Sequence, residues 1–346
     1  MAKRLARTFV LLVVALLLVV MGGGAAAYYL NTPSPAIPRE GRVFKIEQGE
    51  TLSSVAARLE GEQLIRSALF LRLVSRVNGS EKSIKRGYYR ILPGDTTVDV
   101  HALLVTGYQE QVKLTIPEGW TIKRIARYVE DKGIASAGEF LEAVSSPALL
   151  ERFSIPAESL EGYLFPDTYY FPKGYPAYGI VEEMVETFFR RLEALAPEAR
   201  EWEPWKLHDT VILASIVERE YRRPEEAPLI ASVFYNRLRY NIGLESCATL
   251  GYIITDIQDR PHPEVLTLED KRIDSPYNTY KWAGLPPGPI ANPGSVALEA
   301  AVHPPQSDFF YFVLKNPATG QHYFSEDLRE HNWAKYNYLK QTAPGG

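Results

Sequence analysis

Glu218 follows directly on an uncharged run: Val211–Val217 reads V-I-L-A-S-I-V, and the chain continues E-R-E-Y. A helix that is apolar nearly all round is a buried helix. A carboxylate at its end either emerges into solvent or sits in a cleft, partly desolvated. There its pKa rises and it can serve as a general acid. The ordinary reading is a solvated helix-end residue paired with Arg222 four positions on. Glu220 lies about 200° around a helix of 3.6 residues per turn, so a regular helix cannot aim both acids into one pocket. Glycoside hydrolysis of the usual kind wants two carboxyls facing across the scissile bond. This helix supplies one.

Other catalytic templates are missing. There is no G-x-S-x-G and no S-x-x-K, so a serine nucleophile has no support. His101, His208, His262, His303, His322 and His331 never sit three or four apart, and no H-E-x-x-H exists. No phosphate-binding glycine loop occurs, and neither a metal nor a cofactor is expected. The single cysteine, Cys247, excludes an internal disulfide and reads as a small buried hydrophobe. With 38 Lys and Arg against 42 Asp and Glu, no basic excess points to nucleic acid. The long Pro/Gly segment Ser275–Gly294 is stiffened by Pro286, Pro287, Pro289 and Pro293. Its Tyr277, Asn278, Thr279, Tyr280 and Trp282 offer hydrogen bonds and flat faces suited to sugar. An Ω-like loop packed by its own side chains fits that composition equally well.

The elements that must position these groups begin with an apolar segment. Thr8–Leu30 carries no charge and as a helix would run roughly 34 Å, enough for a bilayer core. Lys3, Arg4 and Arg7 precede it and no Lys or Arg follows until Arg39, which keeps the N-terminus cytoplasmic and exports the rest. The competing reading is a signal peptide cleaved near Ala25-Ala26-Ala27. Asn31–Glu40 reads as a Pro-stiffened spacer holding the folded part off the membrane. An internal repeat follows: Phe44–Leu59 echoes Val112–Val129. Gly49 matches Gly119, Thr51 matches Thr121, and Leu52, Val55, Ala56 and Leu59 match Ile122, Ile125, Ala126 and Val129. Each copy predicts a strand, a glycine turn, a threonine N-cap and a helix. Lys85–Ile91 predicts a strand after the first copy's helices. This pattern resembles LysM modules, which bind N-acetylglucosamine-containing glycans, but it also describes plain α+β scaffolding. Further on, Leu160–Phe171 is aromatic and turn-rich, and Ile180–Leu195 is an amphipathic helix. The helix bearing Glu218 is expected to start behind Asp209 and end near Arg223, before Pro224. Leu229–Leu238 predicts another helix, and Phe309–Leu314 with His322–Phe324 a hairpin.

Five motifs run in order along the chain. They are L-E-G-Y-L-F-P-D-T-Y at Leu160–Tyr169, I-L-A-S-I-V-E-R-E at Ile212–Glu220 and A-S-V-F-Y-N-R-L at Ala231–Leu238. Then come Y-N-T-Y and G-L-P-P-G-P-I-A-N-P-G within Tyr277–Gly294, and H-P at His303 with Y-F-V at Tyr311–Val313 and H-Y-F-S at His322–Ser325. Over nearly the whole chain, this set resembles the YceG-like family of membrane-anchored endolytic murein transglycosylases.

The resemblance implies an α+β protein with one N-terminal transmembrane helix, a LysM-like small α+β subdomain and a larger α+β catalytic domain. The expected layout is a cytoplasmic tail at 1–7, the anchor at 8–30, a linker at 31–42 and the LysM-like part at 43–110. The second repeat copy with connecting helices follows at 111–158, and the catalytic domain at 159–342. It implies cleavage of the β-1,4 bond between N-acetylmuramic acid and N-acetylglucosamine inside peptidoglycan strands, terminating nascent strands, on the outer side of the inner membrane. One glutamate protonates the leaving oxygen, then takes the proton of the muramyl C6 hydroxyl as a 1,6-anhydro ring closes. Glu218 occupies that position. Glu220, Asn236, Thr249, Tyr277, Asn278, Thr279, Tyr280, Pro287 and Asn292 form the expected substrate-binding set. Peptidoglycan strands, membrane lipid around Thr8–Leu30 and peptidoglycan synthases are the expected partners. One departure stands out: Leu244–Tyr252, read as a strand, has L-E-S-C-A-T where many relatives carry L-Q-S-D-P-T. Two other readings stay open. One is a lysozyme-like muramidase drawing a second carboxylate from Asp167 or Glu245. The other is a non-catalytic scaffold for cell-wall synthases.

Overall fold

The computed structural model describes residues 2–39, 41–47, 49–107 and 111–339, and the side chains of Lys3 and Arg4 and the expected segment ends at 108–110 and 340–342 lie outside the described residues. The chain is a mixed α+β protein that divides into two compact units, Met1–Val112 with Pro172–Gly179 and Lys113–Phe171 with Ile180–Gly346.

The first unit opens with α1 (Ala2–Asn31), in which Leu11–Asn31 is long and apolar enough to cross a membrane and is not buried by protein. Then come β1 (Arg42–Ile46), α2 (Leu52–Gly61), α3 (Ala68–Val77), β2 (Gly87–Ile91) and α4 (Thr97–Thr106). The strands pair antiparallel, Arg42 opposite Ile91 and Ile46 opposite Gly87. Phe44 and Ile46 alternate inward to meet Val55, Leu59, Leu71, Ile91, Val100 and Leu104 in one core. The segment after α1 is no free spacer. Ile37 is buried in that core, and Ser34 Oγ donates to the Gln63 carbonyl. Arg66 lies over the Tyr29 ring and donates to Thr32, while Thr97 and Val98 bond the Leu30 carbonyl and the Asn31 side chain. These bonds satisfy the helix end and pin it to the unit.

The second unit begins with β3 (Gln111–Thr115), α5 (Ile122–Asp131), α6 (Ala137–Val144), α7 (Pro147–Arg152), β4 (Thr168–Pro172) and α8 (Ala177–Leu195). The two repeat copies share their turn chemistry. Gly49 and Gly119 both have positive φ (86° and 72°), and the Thr51 and Thr121 side chains accept from the backbone three residues on. β4 was not legible as a strand; it pairs with β3.

Next come α9 (Pro204–Glu220), α10 (Ala227–Arg239), α11 (Cys247–Tyr252) and α12 (Ser295–Val302). The sheet pair β5 (Tyr311–Asn316) and β6 (Gln321–Ser325) and then α13 (Leu328–Leu339) complete the unit. α9 starts earlier than Asp209 because Pro204 at its first position is pre-set for helix, and it stops at Glu220, where Tyr221 turns extended (ψ 149°). Val211–Val217 are all buried, packed among α10, α11 and α12. Ser215 is tolerated there because its hydroxyl donates to the Ile212 carbonyl and accepts from the Ile290 amide. Leu244–Tyr252 holds helix α11, capped by Ser246, not a strand. Cys247, in its first turn, is exposed and not a buried hydrophobe, with its Sγ 3.0 Å from the Tyr280 hydroxyl. Ser275–Gly294 forms neither helix nor strand beyond turns, and β5 and β6 make the expected antiparallel hairpin.

Gly162 is where the aromatic segment meets α9. At φ 88°, a Cβ would come within 2.6 Å of Pro289 and 2.8 Å of Val211. Gly162→Ala is expected to lower stability by about 2 kcal/mol or more, through strain and overpacking together, read as a lower denaturant midpoint at unchanged m-value.

Candidate active site

Glu218 is half-buried at the end of α9, and its Oε2 accepts the Gly294 amide at 3.0 Å, from the N-cap of α12. Burial pushes its pKa up to about 7, and the nearby Glu118 carboxylate adds to the rise. The Gly294 amide, the Tyr221 hydroxyl and the Arg219 charge act the other way. No ion pair joins Glu218 to Arg222 among the described residues, so the ordinary helix-end arrangement is not the one adopted. Glu220 faces elsewhere: it accepts the Ser246 hydroxyl, and burial raises its pKa. The helix end therefore presents a single acid to the Gly294 side, as the 200° offset requires.

The second repeat's turn brings a further carboxylate. Gly119 lies against Glu218, since a Cβ on it would stand 3.5 Å from Glu218 Cγ, and Arg219 donates to its carbonyl at 3.0 Å. Glu118 packs on Gly294 so closely that a Cβ there would overlap its carboxylate. Asn292, fully buried, holds this turn in place. Its backbone accepts from Gly119 and donates to Trp120, both at 2.9 Å. Its side chain donates to the Trp120 carbonyl and to Glu161, and accepts from Gly162 and Leu164. Glu161 in turn accepts the Ile122 amide at the first turn of α5. Burial pushes the Glu161 carboxyl up to about 8.

A half-buried carboxylic acid at neutral pH, flanked by amide and phenol donors, is the equipment of a general acid. Comparison with known proteins agrees with the motifs. The YceG-like family model matches residues 44–337. The chain belongs to the YceG-like family. An endolytic murein transglycosylase of Bacillus subtilis is 31% identical, over 85% of this chain and 84% of that protein. One from Streptococcus pneumoniae is 29% identical over 83% of this chain, which spans 56% of that longer protein. A 2.6 Å crystal structure of a YceG-like protein from Listeria monocytogenes superposes with a TM-score of 0.55 at 31% identity, covering 86% of this chain and 99% of the other.

The side chains of the family motifs divide by task. Asn292 and Asn278 are fully buried, and Asn278 donates to the Lys271 and Ile273 carbonyls and accepts from the Tyr280 amide. Thr249 and Thr279 bond each other, and Thr279 Oγ1 accepts the Ser246 amide. Asn236 donates to the Ser307 and Phe309 carbonyls. These groups hold backbone in place. Tyr277 and Tyr280 are half-buried; Pro287 is exposed and its carbonyl bonds the His208 ring. Of the acids read as second carboxylates, Asp167 is bound to Arg191 at 2.7 Å, a partner that outweighs burial and holds its pKa low. Glu245 lies 3.7 Å from Arg237. Glu118, not singled out from sequence, is the acid beside Glu218. A signal existed: it stands where the first copy has Gln48, immediately before the turn glycine.

Replacing Glu118 by Gln is expected to lower the midpoint at which Glu218 titrates, because a like charge that disfavours its ionised form is gone. Carboxyl ¹³C NMR reads this directly, and an unmoved midpoint would assign the whole rise to burial. For Glu161, a folded pKa of about 8 above an ordinary 4.5 means the folded state holds a proton the unfolded chain releases. The associated stability is full below pH 4.5 and is lost as pH climbs through about 8. Glu161→Gln should flatten that fall in denaturant midpoints measured across the same window.

Proposed function

We propose that this chain is an endolytic peptidoglycan lytic transglycosylase with Glu218 as its acid and base. The carrying observation is the Glu218 carboxyl, half-buried at the end of a buried helix and accepting the Gly294 amide, where burial raises its pKa to about 7. As an acid it donates its proton to the glycosidic oxygen as the muramyl C1–O bond breaks. As the resulting carboxylate it accepts the C6 hydroxyl proton while O6 bonds to C1. The product ends in 1,6-anhydro-N-acetylmuramic acid, the proton on Glu218 is restored and no water is consumed. The apolar helix α1, long enough to cross a membrane, supports an activity at the outer face of the inner membrane, where cutting nascent strands near synthases would end their elongation. The β-α-α-β order of β1, α2, α3 and β2 supports reading the first unit as a LysM-like glycan-binding module.

One observation favours a second reading. Glu118 gives Glu218 a carboxylate neighbour, and a muramidase could use it to activate water. Mass spectrometry of digested strands separates the two: 1,6-anhydro ends are expected, and reducing muramic ends would mean hydrolysis. Glu218→Gln should lose about 10²–10⁴-fold or more of strand cleavage while its melting curve stays cooperative. A folded variant that still cuts would remove Glu218 from the mechanism.

A further inference from the structure

On the Glu220 side of the same helix end lies a cavity of about 390 Å³ with a cationic wall. Arg219, Arg222, Arg237, Lys271 and Lys335 line it, against Glu220 and Glu245. Arg237 is committed: it pairs with Glu245 and donates to the Phe310, Gly243 and Leu244 carbonyls. Glu220 is turned into the Ser246 hydroxyl. The other four cations make no ion pair among the described residues. Arg219 donates to the Gly119 carbonyl, and Lys271 sits 4.4 Å from the centre of the Tyr280 ring. His331 also lines the cavity, and its buried Nδ1 has no hydrogen-bond partner among the described residues. Burial, and to a lesser degree Lys335 and Arg237 nearby, drops its pKa to about 4.

Like charges gathered around a hollow repel one another, and an anion that enters relieves that repulsion. Arginine forks suit carboxylate oxygens in particular. In peptidoglycan the sugar chain is uncharged once the lactyl carboxyl is amide-linked to its stem, so the strand's anions are the carboxylates of the stem peptides. We propose that this cavity binds the carboxylates of a stem peptide on a muramyl residue adjoining the cleavage site, so that the enzyme prefers peptide-bearing strands to stripped ones. The inference rests on the strand-cleaving function proposed above.

The test uses the full chain in detergent and strands of equal length, with stems intact or removed by an amidase and the lactyl carboxylates so freed capped as methylamides. Intact strands should show about tenfold higher kcat/KM, and that ratio should fall toward one in an Arg222→Gln/Lys335→Gln double variant and at raised salt. Both side chains are exposed, so the core is untouched. Equal kcat/KM on the two substrates overturns the proposal, as does a double variant that keeps the full preference. Calorimetry with soluble N-acetylmuramyl pentapeptide and the Glu218→Gln protein needs no catalysis. Binding of the free acid, weakened about tenfold by the double substitution, supports the cavity even where no strand is cut, in which case only the transglycosylase reading fails. Equal binding of the carboxyl-amidated peptide, or tighter binding of inorganic pyrophosphate, overturns the carboxylate assignment.

Discussion

Asn292 is the joint on which the site depends. Fully buried, it ties the turn at Gly119–Trp120, the segment at Glu161–Leu164 and the proline-rich loop into one hydrogen-bonded knot. A net intramolecular hydrogen bond contributes only about 0.5–1.5 kcal/mol, but an orphaned buried partner costs more. The knot is therefore held as a unit, and loosening one strand of it frees several groups at once. Two residues further along the same loop, Gly294 bonds Glu218. The position of the acid's partners is thus inherited from a side chain that need not touch substrate.

Around this joint the electrostatics of the site follow from packing. Val211–Val217 are buried, so the acid that ends the run begins its exposure in a partly dry place. Desolvation lifts its pKa, and Glu118 lifts it further. Glu118 reaches it because the knot presses the second repeat's turn onto the helix end. The opposite flank of that end has the reverse character, with Arg219 and its cationic neighbours facing a cavity. A carboxyl of raised pKa on one side and a cation-lined hollow on the other fit the proposed substrate, a polymer of neutral sugars with charged branches.

Much of the scaffold could be read from spacing. The apolar first helix, the paired threonine caps of the repeat, the amphipathic α8, α10 and the final hairpin are local patterns that tertiary contacts reinforced. What could not be read was set by partners distant in sequence. β4 looked like an aromatic turn until β3 paired with it. Cys247 carries no local mark of exposure, and Asn278 and Asn292 look like sugar ligands until their side chains are seen to be used on backbone. The repeat itself concealed a difference: a Cβ at Gly49 would meet nothing within 4 Å among the described residues, whereas Gly119 rests on Glu218.

The sequence by itself determined that one acid would end a buried helix and that Glu220 would point elsewhere, because both follow from composition and helical period alone. It also carried the family motifs in order, which sufficed to identify the lineage. Only the tertiary structure decided that Glu118 and Gly294 would be the groups at Glu218, and that four cations without an ion pair among the described residues would line one hollow. Those facts depend on loops closing over 76 to 100 residues of chain, as in the Gly294–Glu218 and Arg219–Gly119 bonds. No local propensity encodes such closures; they are selected by the joint satisfaction of buried polar groups in the folded state.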